Sequence, residues 1–268
     1  MFMVVAVEDK KEPLRQRLGR LLRGDALEWE DRSCGGNRYR YIVWHGPVER
    51  LPWNRLALLC PRPRSPVLLP PEVLAPEGCP LRDYRPQDFT ARLTVAAARQ
   101  AMEQTAGKGS GLLGLLDPQG IAPWACGEWL DCCRGVKVYT LRQSRYAAAE
   151  TMLRVEYGLP LLWAETPAEL EDCSICAAPY PTGVIRVRRP IITADRSGIQ
   201  GNPTVNRLTL ALTPEQLAEV PPGAEPTAFW GMVTECGTRR VKLPLTLGGC
   251  RIDGRLAEFT ELGKLMRT

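Results

Sequence analysis

The feature that most constrains the fold is a rapid alternation of apolar and helix-like segments between residues 111 and 180. Apolar runs predict three strands, at Leu112–Leu116, Val136–Thr140 and Ser174–Ala178. Helices are predicted between them, at Pro123–Cys133 and Tyr146–Tyr157. Strands that alternate with helices of this length pair in parallel through right-handed crossovers. This segment therefore predicts a β-α-β-α-β unit built on a parallel sheet.

Residues 1–86 carry the pattern of a smaller α/β unit with irregular connections. Leucines at helical spacing predict a helix after Pro13, and a dense run of prolines between residues 61 and 86 indicates loops and sheet edges. Apolar runs predict strands at Phe2–Val7, Tyr39–Trp44, Leu56–Cys60 and Val67–Leu69.

A glycine-rich stretch separates two parts of the chain. An alanine-rich helix that ends near Thr105 leads into residues 107–111, which read Gly-Lys-Gly-Ser-Gly and are interpreted as a hinge. We therefore predict an N-terminal α/β unit plus a connecting helix at 1–106, and a second domain at 107–268. The end of that domain is a divergent extension, with a strand predicted at Val241–Leu247 and a terminal helix at Leu256–Met266.

The composition limits the classes of function. Hydrophobic residues make up 44% and charged residues 24% of the 268 residues, as in ordinary globular proteins. The net charge of +5 is only mildly basic, so there is no strong nucleic-acid signal. No apolar run approaches the roughly 20 residues of a membrane span. The ten cysteines mostly have apolar neighbours and no secretory leader is recognisable, so a cytoplasmic location with reduced thiols is expected.

The loop after the first strand of the alternating segment departs from the dinucleotide-binding pattern. Such a loop uses glycines so that the backbone can turn tightly and approach a diphosphate at a helix N-terminus. Among residues 115–124 only Gly120 fits this requirement. Asp117 would bring a negative charge towards the phosphates, and Pro118 and Pro123 lack N–H groups. The sequence thus predicts half of a nucleotide-binding fold whose phosphate-binding glycines are lost.

Two later segments carry a family resemblance. Val138–Arg145 reads Val-Tyr-Thr-Leu-Arg-Gln-Ser-Arg, which is similar to an Asn-Arg-Thr-x-x-Arg motif. Ala177–Gly183 reads Ala-Ala-Pro-Tyr-Pro-Thr-Gly, which is similar to an Ala-Thr-Pro-x-Gly turn. Both motifs belong to the NAD(P)-binding domain of the shikimate dehydrogenase and glutamyl-tRNA reductase group, which residues 111–183 resemble over about a quarter of the chain.

The resemblance implies a Rossmann-like parallel sheet, accompanied here by the small N-terminal α/β unit and the C-terminal extension. It implies NADP as the cofactor, since arginine in the first motif meets the 2′-phosphate; the residues by themselves assign no cofactor. No metal site is predicted. The cofactor-binding residues that it implies are Gly120, Thr140, Arg142, Arg145, Pro179 and Gly183.

Three other features are candidates for chemistry. His45 is the only histidine and stands at a predicted strand end, so any His-based mechanism would have to use it, although a lone histidine is more often structural. Cys173 and Cys176 form a Cys-x-x-Cys, but positions i and i+3 of a strand face opposite sides, which opposes shared chelation. The glycine-rich loop Ser197–Pro203 could form a nest of amides for an anion.

These observations leave three functions open. The first is a degenerate, non-catalytic module that binds a small molecule or a protein partner, because the phosphate-binding glycines are missing, the single histidine is unremarkable and no convincing acid–base pair is present. The alternative is an NAD(P)-dependent oxidoreductase with an atypical phosphate loop. The third, weaker, is an enzyme for phosphate ligands or sugar nucleotides that uses the Ser197–Pro203 loop. Substrate and oligomeric state cannot be read from the sequence.

Overall fold

A computed structural model describes residues 1–8, 27–105, 111–181, 183–194, 198–241 and 243–261. Contacts divide the chain into two compact units: unit 1 comprises Met1–Pro86 and Leu212–Leu243, and unit 2 comprises Gln87–Ala211 and Pro244–Thr268. The helix expected after Pro13 and residues 107–110 of the expected hinge lie outside the described residues. The division of the chain at 106–107 stays a prediction.

The strands and helices of the described residues run as follows. The strands are β1 (Phe2–Val7), β2 (Leu27–Cys34), β3 (Asn37–Trp44), β4 (Pro66–Leu68), β5 (Arg82–Asp83), β6 (Leu112–Leu116), β7 (Gly135–Tyr139), β8 (Leu161–Ala164), β9 (Ile175–Ala178), β10 (Ile185–Arg186), β11 (Ile191–Thr193), β12 (Ile199–Gln200), β13 (Thr204–Leu210), β14 (Leu247–Ile252) and β15 (Arg255–Glu258). The α-helices are α1 (Trp53–Leu59), α2 (Gln87–Thr105), α3 (Ala147–Glu156), α4 (Pro214–Ala218) and α5 (Pro226–Cys236).

Unit 1 is built on a five-stranded sheet in the order β2-β3-β1-β4-β5. The apolar β1 lies between β3 and β4 and pairs with both in parallel, which buries it. β2 and β3 form an antiparallel hairpin over Gly35 and Gly36, whose positive φ angles suit a two-residue turn. Ile42 and Leu56 are among the side chains of the core under this sheet.

The segment 212–243 completes unit 1 although it comes late in the chain. Thr213 caps α4 in a reciprocal capping box with Gln216. Hydrogen bonds tie the segment to the hairpin of β2 and β3: the Cys34 thiol donates to the Glu219 carboxylate, and Tyr41 donates to the Pro222 carbonyl. The buried Asn37 side chain accepts from the Arg239 amide at 2.7 Å.

Unit 2 contains an eight-stranded sheet in the order β15-β14-β13-β11-β9-β6-β7-β8. Its first six strands along the chain, β6, β7, β8, β9, β11 and β13, are parallel to their neighbours within this set. When these six strands are numbered 1 to 6 along the chain, they lie side by side in the order 3-2-1-4-5-6, which is the Rossmann arrangement. The strands β14 and β15 extend the sheet in antiparallel pairing. The α/β fold with a Rossmann-like parallel sheet is confirmed.

Several predicted elements need correction. Leu56–Cys60 was expected to be a strand but belongs to α1, where Leu56 is buried and Leu58 is exposed, as on two faces of a helix. Pro123–Cys133 was expected to be an α-helix but contains a 3-10 helix over Pro123–Trp129. The predicted strand Val241–Leu247 is wrong in position, because β14 only begins at Leu247.

Two further differences concern strands at the edges of the sheets. The predicted helix from Leu256 is wrong at its start: Asp253 and Gly254 adopt positive φ and turn the chain into β15. β2 and β8 were not predicted, since β2 is mostly polar and exposed and β8 has only four residues. No helix within the described ranges is long and apolar enough to cross a membrane.

Candidate functional site

The candidate site of unit 2 lies at the carboxyl ends of three adjacent strands. β6 stands between β7 and β9, and the chain runs first to β7 and later to β9, so a topological switch point lies between β6 and β9. Ligands of open α/β sheets bind outside the carboxyl ends of the strands at such a point. The six predicted site residues follow these strand ends: Gly120 follows β6, Thr140, Arg142 and Arg145 follow β7, and Pro179 and Gly183 follow β9.

The loop after β6 is organised around the buried carboxylate of Asp117. Its Oδ2 accepts hydrogen bonds from the Ala122 amide at 2.7 Å and from the Tyr146 hydroxyl at 2.6 Å. Its Oδ1 is also buried and has no hydrogen-bond partner among the described residues. Burial, with the charge of Asp117 as the next cause, raises the pKa of Tyr146 well above its usual value, so the phenol keeps its proton.

The loop after β7 has the opposite character. Thr140 is buried, and its Oγ1 accepts from the Arg142 amide at 3.1 Å. Arg142 and Arg145 are exposed, and their guanidinium groups have no hydrogen-bond or ion-pair partner among the described residues. The local backbone is held by the Arg145 amide, which donates to the Arg142 carbonyl. This loop therefore presents two positive charges to solvent.

Gly120 brings the two loops together. Its φ of +64° lies in the left-handed region that favours glycine. A Cβ at this position would lie 2.9 Å from Arg142 Cβ and 3.1 Å from Arg145 Cδ. Both its conformation and its space thus require glycine, and the arginine side chains begin directly against its backbone.

The loop after β9 contributes a residue that the sequence did not single out. Pro179 is buried, and Gly183 is exposed with nothing within 4 Å of an added Cβ, so Gly183 lacks the close arginine contact that Gly120 has. Tyr180 instead donates to the Asp88 carboxylate at 2.9 Å. Burial, followed by the interaction with Asp88, raises the pKa of Tyr180 to about 12, and a hydrogen bond with the Trp124 side chain opposes the rise.

Tyr180, Asp88 and Trp124 come from three separate segments of unit 2. Asp88 lies in the first turn of α2, Trp124 follows β6 and Tyr180 follows β9. Trp124 is 37% exposed, so part of its side chain reaches solvent. Tyr180 and Asp88 are separated by 92 residues, so no local sequence pattern predicts their hydrogen bond.

His45 lies in unit 1, just after β3. Its side chain is nearly buried, with Nδ1 3.5 Å from the Glu8 carboxylate and Nε2 3.3 Å from the Glu28 carboxylate. Both ring nitrogens are buried and face carboxylates at strand ends, but neither makes a hydrogen bond within the described residues. This enclosed position between two carboxylates favours a structural role for His45.

The two cysteines of the Cys-x-x-Cys lie on one side of β6, which corrects the expected opposite orientation. A Cβ on Gly114 would lie 2.7 Å from Cys176 Sγ and 3.2 Å from Cys173 Sγ. The strand rule fails because β9 begins at Ile175, so Cys173 precedes it. The hydrogen bond with Cys173 and burial raise the pKa of Cys176. Within the described ranges no three His, Cys, Asp or Glu side chains gather as a metal site would require.

A cavity of about 830 Å³ opens at the opposite ends of the unit 2 strands, beside residues that directly precede β9, β11 and β13. Asn202 and Pro203, from the predicted Ser197–Pro203 loop, line it together with Arg188, Arg189 and Asp253. The arginines are already engaged: Arg188 pairs with the Glu171 carboxylate at 3.4 Å, and Arg189 donates to the Glu171 carbonyl. Residues 195–197 of this region lie outside the described residues.

Comparison with known proteins gives partial matches to solved structures. No family model and no curated protein matches the chain. The Δ1-pyrroline-2-carboxylate reductase of Thermococcus litoralis, solved with NADH and L-proline, is 19% identical over 39% of this chain and 36% of its own, with a TM-score of 0.29. The iminosuccinate reductase of Paracoccus denitrificans, solved with NAD+, is 19% identical over 39% and 35%, with a TM-score of 0.28. The L-tryptophan dehydrogenase of Nostoc punctiforme is 11% identical over 75% and 61%, with a TM-score of 0.28.

The matches cover about a third of the length of the first two enzymes. They accord with the Rossmann-like fold that the strand order of unit 2 already establishes. At these identities and TM-scores they carry no argument about activity, and they do not show membership of the shikimate dehydrogenase group.

Proposed function

We propose that unit 2 binds a dinucleotide of the NADP type at the carboxyl edge of its sheet, and that the protein is an NADP-dependent oxidoreductase. The observation that carries the proposal is the pair of exposed arginines, Arg142 and Arg145, set against Gly120 at the end of β7. The end of the second strand is where a Rossmann unit recognises the adenosine ribose, and arginine there accommodates a 2′-phosphate.

The residues at this position fit a phosphate monoester. A guanidinium donates two parallel hydrogen bonds to phosphate oxygens, and two guanidinium groups balance the charge of a phosphate dianion. Thr140 orients the loop by accepting from the Arg142 amide, so the first arginine starts from a fixed backbone position. When bound, the nicotinamide group would supply hydride transfer; this chain's own residues would bind and orient the cofactor.

Trp124 and Tyr180 also favour ligand binding at the carboxyl ends of these strands. They lie beside the switch point, where a ligand that crosses from β7 towards β9 would meet them. The hydrogen bond of Tyr180 to Asp88 holds the phenol in place, and burial together with this bond raises the pKa of Tyr180 to about 12, so the phenol stays neutral even at mildly alkaline pH. A partly exposed indole offers a flat apolar surface to a planar ring.

The test is a binding measurement by isothermal titration calorimetry with NADP and NAD. We expect the wild-type protein to bind NADP, and Arg142→Ala/Arg145→Ala to bind it about 30-fold or more weakly, because several charge-assisted hydrogen bonds are lost. The control is Arg134→Ala/Arg154→Ala, which removes the same charge from exposed positions before β7 and at the end of α3. Equal affinity in the first double variant, or no binding of NADP by the wild type at millimolar concentration, would overturn the proposal.

The buried carboxylate of Asp117 favours a second candidate, a nucleotide fold kept as a non-catalytic binding module. A carboxylate in the loop after β6 already accepts a backbone amide that a bound phosphate would otherwise use. Under this function the wild type binds neither NADP nor NAD, and the arginine double variant behaves like the wild type. The same titration therefore separates the two candidates.

A further inference from the structure

We propose that Asp117 leaves the loop after β6 with little hold on the diphosphate of such a dinucleotide, so that the ligand is held mainly by its 2′-phosphate at Arg142 and Arg145. The inference rests on the proposed function for the kind of ligand. It departs from the usual Rossmann arrangement, in which a glycine-rich loop supplies the main phosphate contacts.

Most backbone amides of the loop after β6 are already hydrogen-bonded within the protein or are absent. A loop that holds a diphosphate offers free N–H groups to it. Here the Asp117 amide donates to the Tyr139 carbonyl, the Gly120 amide to the Asp117 carbonyl, and the Ala122 amide to Asp117 Oδ2. Pro118 and Pro123 have no N–H. Five of the seven residues from Asp117 to Pro123 thus offer no amide to a ligand.

The negative charge of Asp117 also opposes a diphosphate at the loop after β6. Asp117 has no exposed surface, so its carboxylate is poorly screened by water. The Tyr146 hydroxyl donates to this carboxylate and retains its proton, so it brings no positive charge that could cancel the carboxylate. A diphosphate placed over this loop would meet a fixed negative charge and few donors. The arginines after β7 offer donors and the opposite charge, in contact with solvent.

The fold itself keeps the amides of the loop after β6 away from a ligand. Asp117 receives its hydrogen bonds from Ala122 in its own loop and from Tyr146 at the start of α3, 29 residues away. Gly120 then lies tightly against Arg142, so the two loops support each other. Releasing the Ala122 amide to a ligand would leave a buried carboxylate short of a partner, which is unfavourable.

The experiment compares two ligands that differ only in a diphosphate: adenosine 2′-monophosphate and 2′-phosphoadenosine 5′-diphosphate. For the wild type we expect the added diphosphate to improve the dissociation constant by no more than about threefold. In Asp117→Asn, which keeps an oxygen acceptor but removes the charge, we expect 2′-phosphoadenosine 5′-diphosphate to bind about five- to tenfold more tightly than to the wild type, by removal of one poorly screened charge. The affinity for adenosine 2′-monophosphate should stay unchanged.

Tyr146→Phe is the control variant, because it removes a hydrogen bond from Asp117 and keeps the charge; it should not gain affinity for the diphosphate. A wild-type gain of tenfold or more from the diphosphate would overturn this inference and leave the proposed function standing, as would unchanged diphosphate affinity in a folded Asp117→Asn. The wild-type comparison decides the matter by itself if Asp117→Asn does not fold. Absence of binding of both adenosine ligands and of NADP would overturn the inference and the proposed function together.

Discussion

The ends of β6 and β7 are neighbours in one sheet and differ in how they use their polar groups. After β6 a carboxylate is buried and turned inwards on Ala122 and Tyr146. After β7 two guanidinium groups are exposed and, within the described part of the chain, have no partner. One strand end thus has an inward carboxylate with Oδ2 paired and Oδ1 without a partner among the described residues, and the other has guanidinium groups that face solvent.

A strand order therefore does not by itself supply a binding site. The Rossmann arrangement brings both ends to the switch-point edge, but hydrogen bonds decide which of them is open. A donor that is already paired inside the protein adds little to ligand binding, because the internal bond must break first.

The largest expected effect is on stability when the Asp117 pair is broken. Tyr146→Phe removes the 2.6 Å hydrogen bond to a buried carboxylate, and we expect the free energy of unfolding to fall by about 2 kcal/mol, as for hydrogen bonds to charged groups. Urea denaturation monitored by tryptophan fluorescence measures the change. Tyr157→Phe, at a half-exposed tyrosine just after α3, should change stability by less than about 0.5 kcal/mol. Equal losses in the two variants would mean that the first strand end is not held by this pair.

A second effect should appear at alkaline pH. Because the pKa of Tyr146 is raised in the folded protein, the folded state keeps a proton that the unfolded state releases near pH 10. The stabilisation is fully present below pH 10 and is lost as the pH rises above it, by about 1.4 kcal/mol per pH unit for one proton. Between pH 9 and 11.5 the free energy of unfolding should therefore fall more steeply with pH for the wild type than for Tyr146→Phe. Parallel curves would contradict the buried, protonated phenol.

The smallest effect concerns the contact between the two strand ends. Gly120 and Gly158 have φ angles of +64° and +65°, but only Gly120 has neighbours within 4 Å of an added Cβ. Gly158→Ala should lose about 1 kcal/mol through its conformation alone, and Gly120→Ala about 1 kcal/mol more through contact with Arg142. Thermal unfolding measures both variants. If the two lose the same amount, the loops are less tightly packed than the structure indicates.

The sequence was a good guide to the centre of unit 2. β6 and β9 were predictable because they are apolar runs buried on both faces, and β7 because its valines are buried although Lys137 and Tyr139 are only partly so. α1 was not, since five apolar residues fit a strand and a short helix equally well. Local patterns describe buried strands better than short elements at the margins.

The candidate site was predictable in its position more than in its chemistry. Arg142 and Arg145 could be found from a motif, and the conflict between Asp117 and a phosphate could be seen from its charge. The partners of Asp117 could not be seen, because Tyr146 comes from a later helix boundary. Tyr180 and Asp88 are joined only by the sheet topology, which no spacing along the chain reveals.

The return of residues 212–243 to unit 1 bears on the order in which the protein is synthesised. The hairpin of β2 and β3 leaves the ribosome early, but Glu219, Pro222 and Arg239, its hydrogen-bond partners, are made only after all of 87–211. During translation about 180 further residues must therefore be added before Cys34 and Tyr41 of the hairpin can form these hydrogen bonds. Unit 1 completes its folding late, and a chain truncated after residue 86 lacks the segment that finishes it.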